Sequence, residues 1–477
     1  MALDPSSRPL HLDPCDQKRA THQALRCRLL NGMWEDDLER ALAKHIRPDR
    51  RAAWGIGEMS RNPFRSLSTQ VGGALYASPP SVRGPPGSEG LISAVESAGY
   101  WQLMQRSSTD LVGVREAFMR LDWTERGGLL LRPVPSEMIS IRAVPEAPDE
   151  PAVVEEIQER ADPQTGKPIW TWEVLDIADL SQPKHLILSG DRKRDLTAAY
   201  LGSSKSGGAY QYLDAAGRPF IPGTLYHAER TGQIWDSYYG LEAVLGTLTV
   251  AVLLTFWVHG VKDGSFATVL LAGGQIVGLE IESPGGTKTK VLSAEPGSFI
   301  EVAPVADYQG QVQVVQLQPG FDPEKLMSAI GSFEAGLAEY AGVSPADLVR
   351  TGADPRSGAS LSISREGLRG AQGRFEPQLR RGDLATLACA AKVLNRATGS
   401  NYPETGYTIT YPALPLSTEE TRALREDLLA KVHAGLLSKV DAYMRLNPGL
   451  DRNQAVLELQ RIQRENALFP ATGATTF

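Results

Sequence analysis

The most constraining feature of the sequence is one uncharged, apolar segment near its middle. Residues 244–258 read VLGTLTVAVLLTFWV, and Lys262 and Asp263 follow shortly after. Crossing a bilayer takes about 20 consecutive apolar residues, whereas this segment is shorter and contains three threonines and a glycine. The segment therefore predicts a helix buried within a protein assembly, and a membrane-embedded pore is the alternative.

The length and composition limit what kind of protein this can be. The chain has 477 residues, of which 42% are apolar and 22% charged, as is normal for a soluble globular protein of two or three domains. Its 49 basic and 56 acidic residues give a formal net charge of −7. A protein without a global excess of positive charge is not expected to coat nucleic acid tightly. It can still guide DNA that it does not hold.

The cysteines indicate neither a disulfide scaffold nor a metal centre. There are three cysteines and no C-x-x-C pair, which favours the reducing interior of a cell. Four residues near the N-terminus are potential zinc ligands: His11, Cys15, His22 and Cys27. Their spacing fits no standard zinc site, so we predict no metal and no cofactor. The first 20 residues are rich in Asp, Pro and Arg and do not resemble a signal peptide.

Hydrophobic periodicity predicts an α+β protein in which helices and short strands fall in separate stretches. Helices are expected over residues 34–45, 91–121, 238–261 and 361–397. Short antiparallel strands are expected over residues 128–226 and 266–318. The sequence Asp322-Pro323-Glu324 predicts a further helix start, because Asp is a favourable N-cap and Pro fits the first helical turn.

Motifs for catalysis are weak. Residues 202–208 (GSSKSGG) and 284–289 (PGGTKT) contain glycine and lysine, but neither has the G-x-x-x-x-G-K-[ST] spacing of a phosphate-binding loop. The sequence also lacks G-x-S-x-G, H-E-x-x-H and G-x-G-x-x-G. We therefore predict no enzymatic activity. A hydrolase or transferase that uses one of these loops is the alternative.

The expected helix over residues 361–397 is rich in arginine. Its basic residues are Arg365, Arg369, Arg374, Arg380, Arg381 and Arg396. One interpretation is a solvated face that pairs with Glu366, Glu376 and Asp383 or with a neighbouring subunit. The other is a basic collar that faces DNA or acidic groups of a partner. The first interpretation is favoured.

Six short segments are informative as a set: residues 239–244 (YGLEAV), 341–348 (AGVSPADL), 357–360 (SGAS), 414–420 (LPLSTEE), 435–438 (GLLS) and 447–450 (NPGL). They lie at the entry to the apolar helix, on both sides of a Gly/Pro/Ser-rich loop, and in the last helical part. Together, in this order, they resemble the portal proteins of long-tailed bacteriophages. In that family, two stem helices flank a β-rich clip and a tunnel loop follows the second helix. The resemblance covers roughly residues 55–465.

The resemblance implies an α+β portal fold with a β-rich wing, a helical stem, a small β-containing clip, a tunnel loop and a helical C-terminal crown. The implied segments are a flexible N-terminal arm (1–30), the first part of the wing (31–237), stem helix 1 (238–262), the clip (263–320), stem helix 2 (321–342), the tunnel loop (343–360), the second part of the wing with its long helix (361–410), the crown (411–468) and a disordered tail (469–477).

The resemblance also implies a function and a set of partners. The chain would form a homo-dodecameric ring, the head–tail connector at one capsid vertex, for viral genome packaging, retention and ejection. The terminase large subunit would dock on the clip, and a head–tail adaptor protein would later replace it. Further partners would be the major capsid protein, scaffold and double-stranded DNA that passes without sequence specificity. The protein would be assembled in the host cytoplasm and would reside in the virion, with no role for a membrane.

Two groups of residues are site candidates under this hypothesis. Channel-lining candidates are Glu324, Glu334, Glu339, Asp347, Arg350 and Arg356. Acidic side chains are expected there because a channel that conducts a polyanion must not bind phosphates tightly; ordinary solvent-facing acids are the alternative. Candidates for stem packing are Val244, Leu248, Val252 and Phe256, since subunit packing in a ring can bury a helix on several faces.

Overall fold

A computed structural model of the chain describes residues 7–11, 13–48, 51, 57–201, 210–229, 232–235, 241–265, six strands between 268 and 317, 322–345, 358–412, 418–447 and 450–468. Within these ranges, side chains are described except for residues 263–317, 358–366, 418–420 and 466–468. Helices and strands fall in separate stretches, which confirms the predicted α+β class.

Two helices begin the described chain, α1 (Pro14–Asn31) and α2 (Glu35–Leu42). The side chain of Asp13 accepts a hydrogen bond from the Cys15 amide at 2.8 Å, which caps α1. Arg19 and Gln23 are buried on α1 because both bond to the buried carboxylate of Glu116. The prediction of a flexible arm over 1–30 is therefore wrong for residues 14–30, which form a helix held to the fold through Arg19 and Gln23.

Three further helices pack beside these, α3 (Pro63–Leu75), α4 (Glu89–Ser97) and α5 (Tyr100–Val114). A Cβ atom on Gly72 would lie 2.5 Å from the Thr109 Cα, so α3 and α5 cross almost backbone to backbone. The single helix predicted over 91–121 is wrong: Gly99, at φ 74°, separates α4 from α5, and α5 ends early. Arg115 adopts φ 78°, which terminates α5, and the next residues form a strand.

The strands that follow build two antiparallel sheets. The first consists of β2 (Glu116–Thr124), β3 (Gly128–Val134) and β8 (Gly223–His227). Its strand order is β3-β2-β8. The second has the order β4-β5-β6-β7 and consists of β4 (Ile139–Arg142), β5 (Val153–Ala161), β6 (Pro168–Asp176) and β7 (Lys184–Ser189). A short helix, α6 (Thr197–Leu201), follows β7. The predicted antiparallel region is confirmed and begins earlier, at β2.

Two helices, α7 (Leu241–Ser265) and α8 (Pro323–Tyr340), enclose a β excursion. Its strands are β9 (Thr268–Ala272), β10 (Gly274–Val277), β11 (Leu279–Glu282), β12 (Lys288–Val291), β13 (Glu301–Pro304) and β14 (Gln313–Leu317). They pair as β9 with β14, β10 with β13 and β11 with β12, all antiparallel. Each pair encloses the next along the chain, so the excursion leaves the end of α7 and returns to the start of α8. We call these three nested strand pairs the nested ribbon. The strands predicted over 266–318 are confirmed.

A long helix, α9 (Gly358–Thr398), crosses the first sheet and the helices α3 and α4. Together they enclose the largest core cluster, with Leu379, Leu387 and Leu394 on the α9 side. Beyond α9, a strand β15 (Thr408–Thr410) pairs with β1 (Ser81–Arg83). The described chain ends in three helices, α10 (Thr418–His433), α11 (Lys439–Leu446) and α12 (Arg452–Leu468).

Candidate functional site: the α7–α8 helix pair

The helices α7 and α8 pack against each other in antiparallel directions. Near one end, the Trp257 indole donates a hydrogen bond to the Pro323 carbonyl at 3.0 Å. At the centre, Val250 and Leu254 form a buried cluster with Ile330. At the other end Gly246 lies so close to α8 that a Cβ atom there would be 2.7 Å from the Leu337 methyl groups. We call this unit the helix pair.

A second side of α7 packs on the N-terminal helices. Val244 and Val252 are buried, and Leu248 and Phe256 are partly buried, in one cluster. The opposing residues come mainly from α1, α2 and the loops that follow them: Leu29, Leu30, Trp34, Leu38, Leu42 and Ile46. The structure thus brings together all four residues proposed for stem packing, and within one subunit they face its own N-terminal helices.

Two of the three threonines in the apolar segment bind the chain segment 57–64, which we call the strap. The Glu58 amide donates to Thr255 Oγ1 at 2.8 Å, and the Phe64 amide donates to Thr247 Oγ1 at 2.9 Å. Each hydroxyl in turn donates to a carbonyl one turn earlier in α7, that of Ala251 or Ala243. Because both threonines are buried, their hydroxyl groups give two amides of the strap a hydrogen-bond acceptor at the surface of an otherwise apolar helix.

The strap also reaches α8. The Arg61 guanidinium lies 2.9 Å from a Glu334 carboxylate oxygen, and Glu334 is only 3% exposed. Burial raises the pKa of Glu334, and the Arg61 charge opposes that rise. A carboxylate buried under an arginine does not face solvent, so the position of Glu334 does not fit the predicted channel-lining role.

The other lining candidates are placed differently. Glu324 and Glu339 are exposed, and helical geometry puts them about 60° apart around α8. Ser328 and Ser332 are exposed between them and complete a polar strip. The predicted start of α8 is confirmed: Asp322 accepts hydrogen bonds from the amides of Glu324 and Lys325, both at 3.1 Å. The remaining candidates lie outside the described residues: Asp347, Arg350 and Arg356.

Apolar side chains are exposed beside the polar strip. On α8, Phe333 is 41% exposed and Tyr340 is 56% exposed; on α7, Leu245 is 52% exposed. By length and composition α7 could also cross a membrane, and 44% of its apolar stretch is buried in the protein. The helix pair thus combines two packed sides with an exposed side that is polar in one part and apolar in another.

The described arginines of α9 are mostly engaged by acids. Arg374 approaches Glu229 to 3.7 Å, Arg380 pairs with Glu376, and Arg381 approaches Asp149 to 3.1 Å. These contacts agree with the favoured interpretation of a paired, solvated face. The side chains of Arg365 and Glu366 are outside the described set, and Arg396 is exposed.

Asp383 is the exception among the predicted arginine partners. It is fully buried and accepts hydrogen bonds from Tyr76, Tyr100, Tyr226 and Tyr411. We call these five residues the tyrosine cluster. The prediction of an arginine partner is wrong because Asp383 occupies a core position of α9. A sequence signal for this exists: Asp383 falls four residues after Leu379 and four before Leu387, within an apolar stripe.

The described residues offer little for catalysis. They contain no group of three or more metal-ligating side chains. A cleft of about 440 Å³ between β8 and α9 holds His227, Thr224 and Cys389. Burial raises the pKa of the Cys389 thiol to about 12 and lowers the pKa of His227 to about 4, so the thiol is protonated at neutral pH. The loop 202–208 and most of the loop 284–289 lie outside the described residues.

The sequence matches no protein-family model and no curated protein. Chains in two solved structures are similar in fold to this one. One is the virion of a native gene transfer agent particle, with 13% identity, 82% of this chain and 91% of that chain covered, and a TM-score of 0.40. The other is the neck of an empty gene transfer agent particle, with 12% identity, the same coverage and a TM-score of 0.41.

Proposed function

We propose that this chain is the portal subunit of a tailed phage or phage-like particle: it forms a ring at one capsid vertex and guides DNA without chemical work on it. The observation that carries this proposal is the helix pair with its nested ribbon. Two antiparallel helices, joined by an out-and-back β excursion and followed by a long helix, match the stem, clip and wing order that the sequence resemblance implies.

The exposed side of the helix pair supports assembly. Leu245 of α7 and Phe333 of α8 expose about half of their surface in the single subunit, and exposed apolar side chains are typical of protein interfaces where they form a patch. Since ring subunits contact each other through two different surfaces, these residues would pack against a neighbouring copy. We propose a dodecamer, as the resemblance implies.

The polar strip supports a channel. Glu324 and Glu339 would face the ring axis and repel the DNA backbone, so that the polyanion slides without sticking. Glu334 is not part of this lining and would instead fix α8 to the strap through Arg61. The nested ribbon would project from the pair as the clip, where terminase and later an adaptor dock.

Mass and shape test the ring directly. Native mass spectrometry and negative-stain microscopy of the purified chain should show a ring with a mass several-fold above 51.7 kDa. Phe333→Glu should yield monomers with unchanged circular dichroism, because a charge would be buried at the subunit contact. Leu180→Glu is the matched control: Leu180 is 66% exposed and distant from the helix pair in sequence, and its variant should keep the ring.

Some results would contradict the ring. A wild-type monomer that binds nucleotide would favour the enzyme alternative. Co-flotation of the chain with phosphatidylcholine vesicles would favour a membrane role for α7.

DNA packaging tests the lining. In a packaging assay with terminase, the double variant Glu324→Lys/Glu339→Lys should slow DNA passage while rings still form, because lysines bind phosphate. Glu96→Lys/Glu125→Lys makes the same charge change at two exposed positions outside α8 and should package at the wild-type rate. Equal rates for all three proteins would remove these two acids from the channel.

A further inference from the structure

A buried carboxyl group lies near the middle of α9 without a cation in contact. Asp383 is 0% exposed. One of its oxygens accepts from Tyr100 at 2.6 Å and from Tyr226 at 3.1 Å, while the other accepts from Tyr76 at 3.0 Å and from Tyr411. Within the described chain its hydrogen bonds are all to hydroxyl groups, which stabilise a charge less than a paired cation does.

These bonds tie α9 to four other parts of the fold. Tyr76 directly follows α3, Tyr100 begins α5, Tyr226 lies in β8, and Tyr411 directly follows β15. The network continues from Tyr226 to Thr386 at 2.7 Å and to Tyr100 at 2.5 Å.

The hydrogen bonds of the described residues bring no charged group of another element into this network. On α9 itself, the Arg380 guanidinium lies 5.8 Å from the centre of the Tyr411 ring, and Arg380 pairs with Glu376. The four opposing elements therefore present only phenols to Asp383.

The local packing leaves little room for rearrangement. A Cβ atom on Gly382 would lie 2.3 Å from the Tyr226 ring, so β8 and α9 are in close contact beside the cluster. Pro377 lies inside α9 six residues earlier, where it removes one backbone hydrogen bond of the helix. The cluster thus holds α9 a few residues beyond the position where Pro377 interrupts its backbone hydrogen bonds.

We propose that Asp383 makes the attachment of α9 to the rest of the fold depend on pH. When its carboxyl group takes up a proton in mildly acidic solution, α9 is held more stably. The ionised form buries a charge that only hydroxyl dipoles stabilise. The neutral form buries no charge, and its O–H can donate to a tyrosine oxygen while the carbonyl still accepts from the others. This proposal is independent of the ring function.

The direction of the pH dependence follows from proton binding. Burial raises the pKa of Asp383 from its usual value of 3.8 to about 6, and the tyrosine hydrogen bonds oppose that rise. Between these values the folded chain binds more protons than the unfolded chain, so stability falls as pH rises. The contribution of Asp383 is fully present below pH 3.8 and is lost as pH rises through about 6.

The test compares the full-length wild type with Asp383→Asn, which is neutral at every pH. Denaturant unfolding gives the folding equilibrium constant of each protein at pH 7.5 and pH 4.5. The ratio of wild type to variant should rise by about thirtyfold at the lower pH. Ratios that stay constant across this range would overturn the proposal. Asp149→Asn, at a carboxyl that Arg381 contacts at 3.1 Å, is the control and should not show the rise.

A second variant covers the case in which Asp383→Asn does not fold. Tyr76→Phe keeps the carboxyl group and removes one hydroxyl donor. The ionised form then loses a hydrogen bond, so the acid stabilisation should extend to higher pH than in the wild type. If Tyr76→Phe left the pH dependence of stability unchanged, this would also count against the proposed role of Asp383.

Discussion

Two buried carboxylates of this protein are stabilised in different ways, and the contrast shows what a buried charge needs. Glu173, on β6, contacts Arg120 at 3.0 Å, Arg160 at 2.6 Å and His185 at 3.0 Å. Asp383, on α9, contacts only hydroxyl groups. Burial alone would raise the pKa of both groups. Arg120, His185 and Arg160 outweigh burial at Glu173 and lower its pKa well below the usual range, whereas the tyrosines leave that of Asp383 raised.

The difference assigns the two clusters different roles. The Glu173 carboxylate, whose pKa is lowered, connects β6 of the second sheet to Arg160 on β5, His185 on β7 and Arg120 on β2 of the first sheet. The tyrosine cluster connects helices to a strand through neutral donors, and burial raises the pKa of its carboxyl group to about 6. A buried carboxyl group that is paired with cations therefore keeps its charge in mild acid. A buried carboxyl group that is bonded only to hydroxyl groups takes up a proton there.

Removing Glu173 should have the largest effect. Glu173→Gln removes the nearer carboxylate partner of Arg120, which is 2% exposed, and leaves Asp122 at 3.5 Å. Breaking one side of a buried ion pair costs about 3–5 kcal/mol of unfolding free energy, measurable by urea denaturation. Glu125→Gln, at an exposed acid in the β2–β3 turn, should change it by less than about 0.5 kcal/mol. A similarly small loss in Glu173→Gln would mean that the charges of this cluster add no stability.

Removing one phenol of the tyrosine cluster should have an intermediate effect. Tyr411→Phe deletes a hydrogen bond to a buried carboxylate, and such bonds contribute about 2 kcal/mol. Tyr407→Phe deletes a hydrogen bond to the neutral Pro403 carbonyl and should lose about 1 kcal/mol. If calorimetry at neutral pH gave equal losses, the carboxylate would be no better an acceptor than a carbonyl, and the contrast between the two regions would weaken.

Removing an exposed ion pair should have the smallest effect. On α10, Arg422 lies 3.0 Å from Glu426 and both side chains are mostly exposed. Exposed pairs of this spacing contribute about 0.3–0.5 kcal/mol. Arg422→Ala should therefore shift the urea midpoint only slightly, and less so in high salt. A loss above about 2 kcal/mol would show that α10 depends on charge as the second sheet does.

What the sequence predicts well is what neighbouring residues determine. The start of α8 is foreseeable because Asp322 caps amides only two and three residues away. The strands of the ribbon follow from local alternation and turn residues. Burial of Arg19 is not foreseeable in this way, because its partner Glu116 is 97 residues distant. The same holds for Glu334, which meets Arg61 across 273 residues.

The site could be predicted in outline but not in detail. Apolar periodicity indicates that Val244, Leu248, Val252 and Phe256 share a packed face, and they do. Glu334 falls four residues after Ile330 and three before Leu337, within the apolar stripe of α8, so local periodicity does separate it from Glu324 and Glu339. Its partner Arg61 on the strap could not be predicted in this way. A charged residue in the middle of an apolar stripe, such as Asp383, is the kind of local signal that can reveal a buried polar centre before the fold is known.

The nested pairing of the ribbon has a consequence for how the helix pair comes together during folding. Its innermost pair joins residues 6 apart, Glu282 and Lys288, and its outermost joins residues 49 apart, Thr268 and Leu317. Each pair that forms shortens the loop that the next must close, so the entropy of bringing α7 to α8 is spent in small steps. The strand pairs can thus form in order from the tip of the ribbon toward its base.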